Sequence, residues 1–292
     1  MGATIIEGKA LSASILSSLP ERARIVSAVK GRPPSLAVVK ACDDPATLIY
    51  IRRKLAACEN AGITTRVITP DAGNAEKFIE TIRELGRDPD TDAVMIERPL
   101  PAGFNGLRTW EELPPGKDPD GSSALNMGRL FLCKNFREIE DGDFFTPCTA
   151  MAVIRLMKQH GIAPAGKPVA VIGRSPTVGR PLAHMLSCMD ATVTLCHSRT
   201  SRIEEILKSS RIIVTAVGKA RWLTASMVSA DTVVLDVGTN TDETGNLCGD
   251  SDFENLETKI AAISPVPGGV GPVTLALLLE NTIKAAEKTG GG

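Results

Sequence analysis

Metal-ligating side chains are scarce. The 292 residues hold three histidines, at 160, 184 and 197, with no H-E-x-x-H and no clustered His/Asp/Glu spacing, so the sequence offers no metal site. The seven cysteines (42, 58, 133, 148, 188, 196 and 248) include no C-x-x-C pair. Scattered and odd in number, they argue against zinc or a redox dithiol and suit the reduced thiols of a cytoplasmic protein. Charge of one sign is missing too: 33 Lys and Arg face 34 Asp and Glu, a net charge of -1. No long-range field draws the chain to nucleic acid or an anionic membrane, which leaves a small molecule as the expected partner. No apolar run approaches the roughly 20 residues that span a bilayer, and MGATIIEGKA lacks a basic segment leading into an apolar one. The expectation is a soluble, untargeted chain.

Its length suits two domains, each with its own core, and hence a cleft. SLAVV (35–39), RVIT (66–69) and AVMIE (93–97) are short β-branched or apolar runs that predict strands. Between them lie a helical pattern over 47–61 ending at Gly62, and the helix-like AEKFIETIRELG. That β–α–β–α–β order predicts an N-terminal α/β domain with a parallel sheet core. The Pro/Gly-rich stretch 101–121 predicts a long loop, where such sheets place their chemistry. A helix over 150–161 follows. From Pro168 the chain alternates again: strands VAVIG, ATVTLC, RIIVTAV and TVVLDVG, with helices over 179–189 and around 201–208, predict a C-terminal Rossmann-type domain. The last helix is expected over 274–288. The domains are drawn at 1–146 and 147–273.

The turn after the first of these strands reads Gly173-Arg174-Ser175-Pro176-Thr177-Val178-Gly179, with Ser where G-x-G-x-x-G has its middle glycine. Alone the pattern is weak, and a structural βα turn is the alternative. Strand before and helix after make it a candidate dinucleotide turn, with phosphate oxygens approaching backbone N–H groups at a helix start. The next strand ends in His197-Ser198-Arg199-Thr200, where an NAD enzyme offers an acid to the ribose hydroxyl. Ser198, Arg199 and Arg174 instead suit a 2′-phosphate and favour NADP, unless the arginines are plain surface charges and Ser198 caps the next helix.

Tyr50, the chain's single tyrosine, precedes Lys54 by four residues, so both leave one helix face. With DDPAT-x-x-Tyr-x-x-x-Lys (43–54), RPLP (98–101), KDPDG (117–121), TPCT (146–149), VIGRSPTVGRP (171–181), ATVTLCHSRT (191–200), DVGTN (236–240) and SPVPGGVGPVT (264–274), the chain resembles the methylenetetrahydrofolate dehydrogenase/cyclohydrolase family. The match is collinear over nearly the whole chain. The resemblance implies oxidation of 5,10-methylene-tetrahydrofolate with NADP⁺, and hydrolysis of the methenyl product to the 10-formyl form at the same site. It implies that Tyr50 stacks on the folate, that Lys54 assists water addition and proton transfer, and that Asp120 holds the pterin by accepting its N–H groups. Without it, Asp120 would be taken as a turn carboxylate capping Asp-Gly. Pro99 and Leu100, and Pro267, Gly268 and Gly269 in the Pro/Gly-rich segment, are expected beside folate, the last three also beside nicotinamide unless that segment is a purely structural tight loop. Gly173, Arg174, Ser175, Val178, Gly179, Ser198, Arg199, Gly238 and Thr239 are expected around NADP. The resemblance also implies a homodimer and the terminal helix packing back on the first domain.

Several positions depart from the family. Glu97-Arg98 stands where it has Gln-Leu, Ser122-Ser123 replaces a bulkier pair, Ala150-Met151-Ala152 replaces Pro-x-Gly, and Lys40-Ala41-Cys42 replaces an apolar-Val-Gly strand end. Glu97 is expected to pair with Lys54 and hold it as ammonium, hindering its action as a base while sparing hydride transfer, unless it turns away to Arg98 or another cation. A dehydrogenase without hydrolysis, or a weakened folate- and nucleotide-binding homologue, is the competing expectation.

Overall fold

The computed structural model describes residues 2–41, 45–70, 73–101, 103–104 and 106–289; the side chains of 45–50 and 107 lie outside the described set. Along the chain run β1 (Thr4–Ile5), α1 (Lys9–Lys30), β2 (Ser35–Val39), α2 (Pro45–Asn60), β3 (Thr64–Ile68), α3 (Ala75–Arg87), β4 (Ala93–Ile96), α4 (Gly106–Glu112), α5 (Ala124–Leu132), α6 (Phe136–Asp141) and α7 (Cys148–Gln159). There follow β5 (Pro168–Ile172), α8 (Gly179–Ser187), β6 (Thr192–Cys196), α9 (Ile203–Ser209), β7 (Ile212–Thr215), β8 (Val233–Asp236), β9 (Asn240–Thr241), β10 (Leu247–Cys248), α10 (Phe253–Leu256), β11 (Ala262–Ile263) and α11 (Val270–Thr289). They form two compact units. One comprises residues 13–129, 143–146 and 275–292; the other comprises 1–12, 130–142 and 147–274.

In the first unit β3, β2 and β4 pair in parallel, in that order, with Leu36 opposite both Thr65 and Ala93. All four residues of β4 are buried, as befits a parallel strand covered on both faces. Asn74 caps α3 by accepting from the Lys77 N–H at 3.0 Å, and the helix lays Phe78, Ile82 and Leu85, spaced four and three apart, against Val39, Val94 and Ile96. The region expected as an unbroken loop over 101–121 instead contains α4 and a 3₁₀ turn over Pro115–Lys117. Apolar burial orders it: Leu113, Trp110 and Phe104 join the core under α3, with Phe104 edge-on to Phe78 at 5.4 Å. At the other end of the sheet Asp92, 1% exposed, accepts from Arg32 at 2.7 Å, from the Ser35 N–H at 2.9 Å, and from Lys30 and Thr289.

In the second unit six parallel strands lie in the order β1-β11-β8-β7-β5-β6. Numbering its own βα strands from β5 gives the order 2-1-3-4-5, so the switch point falls between β5 and β7 and the crevice opens beyond their carboxyl ends. Ala170, Ile172, Cys196, Ile213, Val234 and Ile263 form its core. The short antiparallel pair β9–β10 was not visible in the sequence pattern. Helix α11 begins at Val270, four residues before the expected start, because the Gly268–Gly269 turn releases the chain directly into it. The six described cysteines carry no disulfide, and no described helix is long and apolar enough to cross a membrane.

Candidate active site and dinucleotide turn

Beyond β4 the chain passes through Glu97 and a cis Arg98–Pro99 bond to Leu100. Helix α2 brings Lys54 to the same place: its Nζ donates to Glu97 Oε1 at 3.0 Å and Oε2 at 2.7 Å. The Glu97 side chain is 9% exposed and that of Lys54 24%. A buried bidentate acceptor on a half-buried ammonium is an ion pair held away from bulk water. Tyr50 belongs to α2, but its side chain lies outside the described residues. Lys40, just past β2, is buried.

Asp120 joins this group. Arg98 Nη2 donates to its Oδ2 at 3.2 Å. About a quarter of the Asp120 side chain meets solvent, yet enclosure by the protein dominates: burial pushes its carboxyl up to about 6, against the opposing pull of the Arg98 guanidinium, with the neighbouring Asp118 adding to the rise. Asp118 plays a different part. Fully buried, it accepts from the Ser123 N–H at 2.7 Å and Asn126 Nδ2 at 2.9 Å, so it fixes the entry to α5, and burial raises its carboxyl as well. Lys54, Glu97, Arg98 and Asp120 are thus brought together beyond the carboxyl end of β4, with Pro99 and Leu100 continuing from them. The arrangement can hold a polar ring edge on a carboxylate and present a cation and a carboxylate to a reacting carbon.

In the other unit the candidate dinucleotide turn leaves β5 at Gly173. A Cβ there would lie 2.1 Å from the Ala216 carbonyl oxygen, and one at Gly179 would lie 1.8 Å from that of Gly173. Only glycine permits either approach. Ser175 Oγ accepts from the Val178 N–H at 3.1 Å and the Gly179 N–H at 3.3 Å, so the serine in the middle-glycine position shapes the turn itself. Past β6, Thr200 Oγ1 accepts from the His197 N–H at 2.8 Å and His197 Nδ1 from the Arg199 N–H at 3.1 Å. Ser198, Arg199 and Arg174 are exposed, and neither guanidinium has a partner among the described residues. Ser198 does not cap α9, which starts at Ile203 behind Arg202 in a left-handed conformation. Gly238 follows β8 and Thr239 is exposed beside it. The loop after β11 is closed by Gly269 N–H donating to the Pro265 carbonyl at 2.8 Å, with Gly268 at a φ of 114° and a cis Val266–Pro267 bond. Glycines forced by backbone contact, a turn at a helix start and unpaired guanidiniums fit a dinucleotide carrying an extra phosphate.

Two buried carboxylates escaped sequence reasoning. Asp236 and Asp250, 2% and 0% exposed, accept backbone N–H groups from the loops beyond β7 and β8. Asp236 stood in the DVGTN motif without a role, and nothing in the composition around Asp250 marks it.

The family model for the tetrahydrofolate dehydrogenase/cyclohydrolase catalytic domain matches residues 6–120, and that for the NAD(P)-binding domain of the same proteins matches 147–290. A bifunctional protein FolD from Elusimicrobium minutum is 49% identical over 285 residues, covering 97% of this chain and 99% of that one. Among solved structures, the bifunctional methylenetetrahydrofolate dehydrogenase/cyclohydrolase of Campylobacter jejuni superposes with a TM-score of 0.90 at 36% identity, covering 98% of this chain and 99% of that one. The methylenetetrahydrofolate dehydrogenase-cyclohydrolase of Trypanosoma brucei, solved with NADP cofactor and inhibitor, gives a TM-score of 0.90 at 30% identity, with both chains fully covered.

Proposed function

The chain belongs to the tetrahydrofolate dehydrogenase/cyclohydrolase family, and from that premise we propose that it oxidises 5,10-methylene-tetrahydrofolate to the 5,10-methenyl form with NADP⁺ and hydrolyses that product to 10-formyl-tetrahydrofolate at the same site. The observation that carries the reading is the gathering of Lys54, Glu97, Arg98 and Asp120 beyond the carboxyl end of β4. We assign the folate chemistry to the first unit and the dinucleotide to the second.

When bound, NADP⁺ supplies the acceptor for the electron pair leaving the bridging carbon. The residues of the chain do the rest. Asp120 accepts hydrogen bonds from the pterin edge, and Tyr50, four residues before Lys54 on α2, stacks on the ring. Pro99 and Leu100 line the substrate and exclude water, and Pro267, Gly268 and Gly269 line the nicotinamide. Lys54 addresses the bridging carbon and handles the proton of the attacking water. Glu97 takes two of its donors, so hydrolysis, which needs a base, is the weaker of the two activities. Gly173, Ser175, Val178 and Gly179 shape the dinucleotide turn, Gly238 and Thr239 meet the dinucleotide from the loop after β8, and Arg174, Ser198 and Arg199 select the 2′-phosphate. The homodimer and the cytoplasmic location belong to the same proposal, and the free thiols support the latter.

One assay tests it. Purified protein is mixed with methylene-tetrahydrofolate and either NADP⁺ or NAD⁺, and the methenyl absorbance is followed as it rises and decays. Faster formation with NADP⁺ and slower decay are expected; no methenyl band with either dinucleotide overturns the reading, and a band that never decays leaves a dehydrogenase alone.

A further inference from the structure

We propose that Asp250 is a positioning residue of the dinucleotide site: its carboxylate fills the nest of backbone N–H groups at the end of β7 and thereby fixes the wall of the switch-point crevice. The inference rests on the reading of that crevice as the NADP site.

Asp250 is 0% exposed. Its Oδ2 accepts from the Val217 N–H at 2.6 Å and the Gly218 N–H at 3.2 Å, and its Oδ1 accepts from the Lys219 N–H at 2.9 Å and Asn240 Nδ2 at 2.9 Å. Three consecutive N–H groups converging on one anion make the concavity that elsewhere receives phosphate. Here a side chain of the protein occupies it. The phosphates are left to the turn at Gly173–Gly179, and the β7 loop becomes a rigid wall rather than a ligand cradle.

The wall and the turn touch. The Ala216 N–H donates to the Ile172 carbonyl at 2.8 Å, and the Ala216 carbonyl presses on Gly173, where a Cβ would lie 2.1 Å away. A shift of the 217–219 loop therefore moves the start of the dinucleotide turn. Asp250 is itself held by Asp236, whose Oδ1 accepts from the Asp250 N–H at 3.1 Å and the Gly238 N–H at 2.8 Å, and whose Oδ2 accepts from the Ser251 N–H at 2.7 Å. Packing leaves no slack: a Cβ on Gly238 would meet Asp250 Oδ1 at 2.4 Å, and one on Gly249 would meet Asp236 Oδ2 at 2.2 Å. With the carboxylate in place, the loops beyond β7 and β8 have one geometry. An amide in its place directs its own donors at one pair of N–H groups, and the loop must move to relieve the opposition.

The test is D250N in the full-length protein, with N240A as a milder second variant that removes one donor and leaves the nest filled. KM for NADP⁺, kcat, hydrolysis of supplied methenyl-tetrahydrofolate and Tm are measured on each. Because hydrolysis uses no dinucleotide, it reports on the folate chemistry without the NADP site. The expected result is a rise of about tenfold or more in the NADP⁺ KM of D250N and a smaller rise for N240A, with hydrolysis within about twofold of the parent. An NADP⁺ KM that stays put while Tm falls makes Asp250 a purely structural residue and overturns the inference, as does a parallel fall of both activities. Should D250N not fold, an unchanged KM in N240A overturns it equally. R174A separates the two levels: if it raises the NADP⁺ KM and D250N does not, the positioning role fails and the site stands, whereas if neither raises it, the site assignment fails and takes the positioning role with it.

Discussion

Asp120 should set the acidic limb of the reaction. Its carboxyl, raised by burial from 3.8 to about 6, must be ionised to accept two donors from the pterin edge. kcat/KM for the folate should therefore be level above about pH 7 and fall roughly tenfold per unit below about 6. D120N cannot titrate and offers one acceptor and two donors, so it should lose the limb together with about 1.5–3 kcal/mol of transition-state binding, roughly tenfold to a hundredfold. Arg98, 3.2 Å away, pulls the carboxyl down, so R98L should move the inflection upward toward neutrality. Stability follows the same group with its own sign. A carboxyl raised in the folded state stabilises the fold when protonated; that contribution is complete below about 3.8 and is lost as pH rises through about 6. The rise from 3.8 to about 6 is worth at most about 3 kcal/mol, and the exposed quarter of the side chain reduces it. Initial methenyl formation under kcat/KM conditions between about pH 5 and 8, with Tm measured alongside, checks both. A profile that stays flat through pH 6, or a D120N variant that keeps the limb, refutes the reasoning.

Three further outcomes are expected. E97Q should raise methenyl hydrolysis at neutral pH by up to about tenfold, as Lys54 loses its bidentate carboxylate, while dehydrogenase turnover stays within about twofold; equal loss of both activities in a stopped assay would remove Glu97 from the role of a brake, and K54M should abolish hydrolysis in either case. R174A should raise the Michaelis constant for NADP⁺ about tenfold to a hundredfold and leave that for NAD⁺ nearly unchanged, an argument that collapses if steady-state kinetics show the same change for both. D92N should lower stability by about 3 kcal/mol by denaturant titration: burial pushes the Asp92 carboxyl up, yet hydrogen bonds from Arg32, Lys30 and Ser35 hold it below its usual value, so its contribution is present above pH 3.8 and fades as pH falls, and parent and variant should converge in acid.

The parallel strands were legible because their burial is written into unbroken apolar runs such as Leu36–Val39 and Ala93–Ile96. Helix α1 was not: Pro20 lies inside it and its first turn carries no acid, so neither the period nor the caps announce 22 helical residues. Helix α5 is invisible locally because its entry is fixed by Asp118, six residues upstream and sealed in the interior. Strand ends shifted for a similar reason. β8 stops at Asp236 rather than running on to Gly238 because the Asp236 carboxylate turns back to the Gly238 N–H. In the site, the expected pairing of Lys54 with Glu97 is present at 2.7 Å. The resemblance had named the lysine, and the substitution beside it carried its own charge. Asp250 had no such signal, since its partners are mostly backbone N–H groups, which every residue but proline supplies.

Three of the crossings between the units lie inside helices α1, α5 and α11, and the other two flank residues 143–146: residues 1–12 belong with the dinucleotide strands, and 275–292 with the folate sheet. During synthesis the folate unit thus cannot complete its core until the last residues have left the ribosome, although most of it is made first. Dissection meets the same obstacle. A fragment cut at 1–146 lacks α11, which brings Thr289 to Asp92, and one cut at 147–292 lacks β1, which pairs with β11. Separate halves of this enzyme would each expose a surface that the other end of the chain was meant to cover, so a workable two-piece version has to be split by structure, with its ends exchanged.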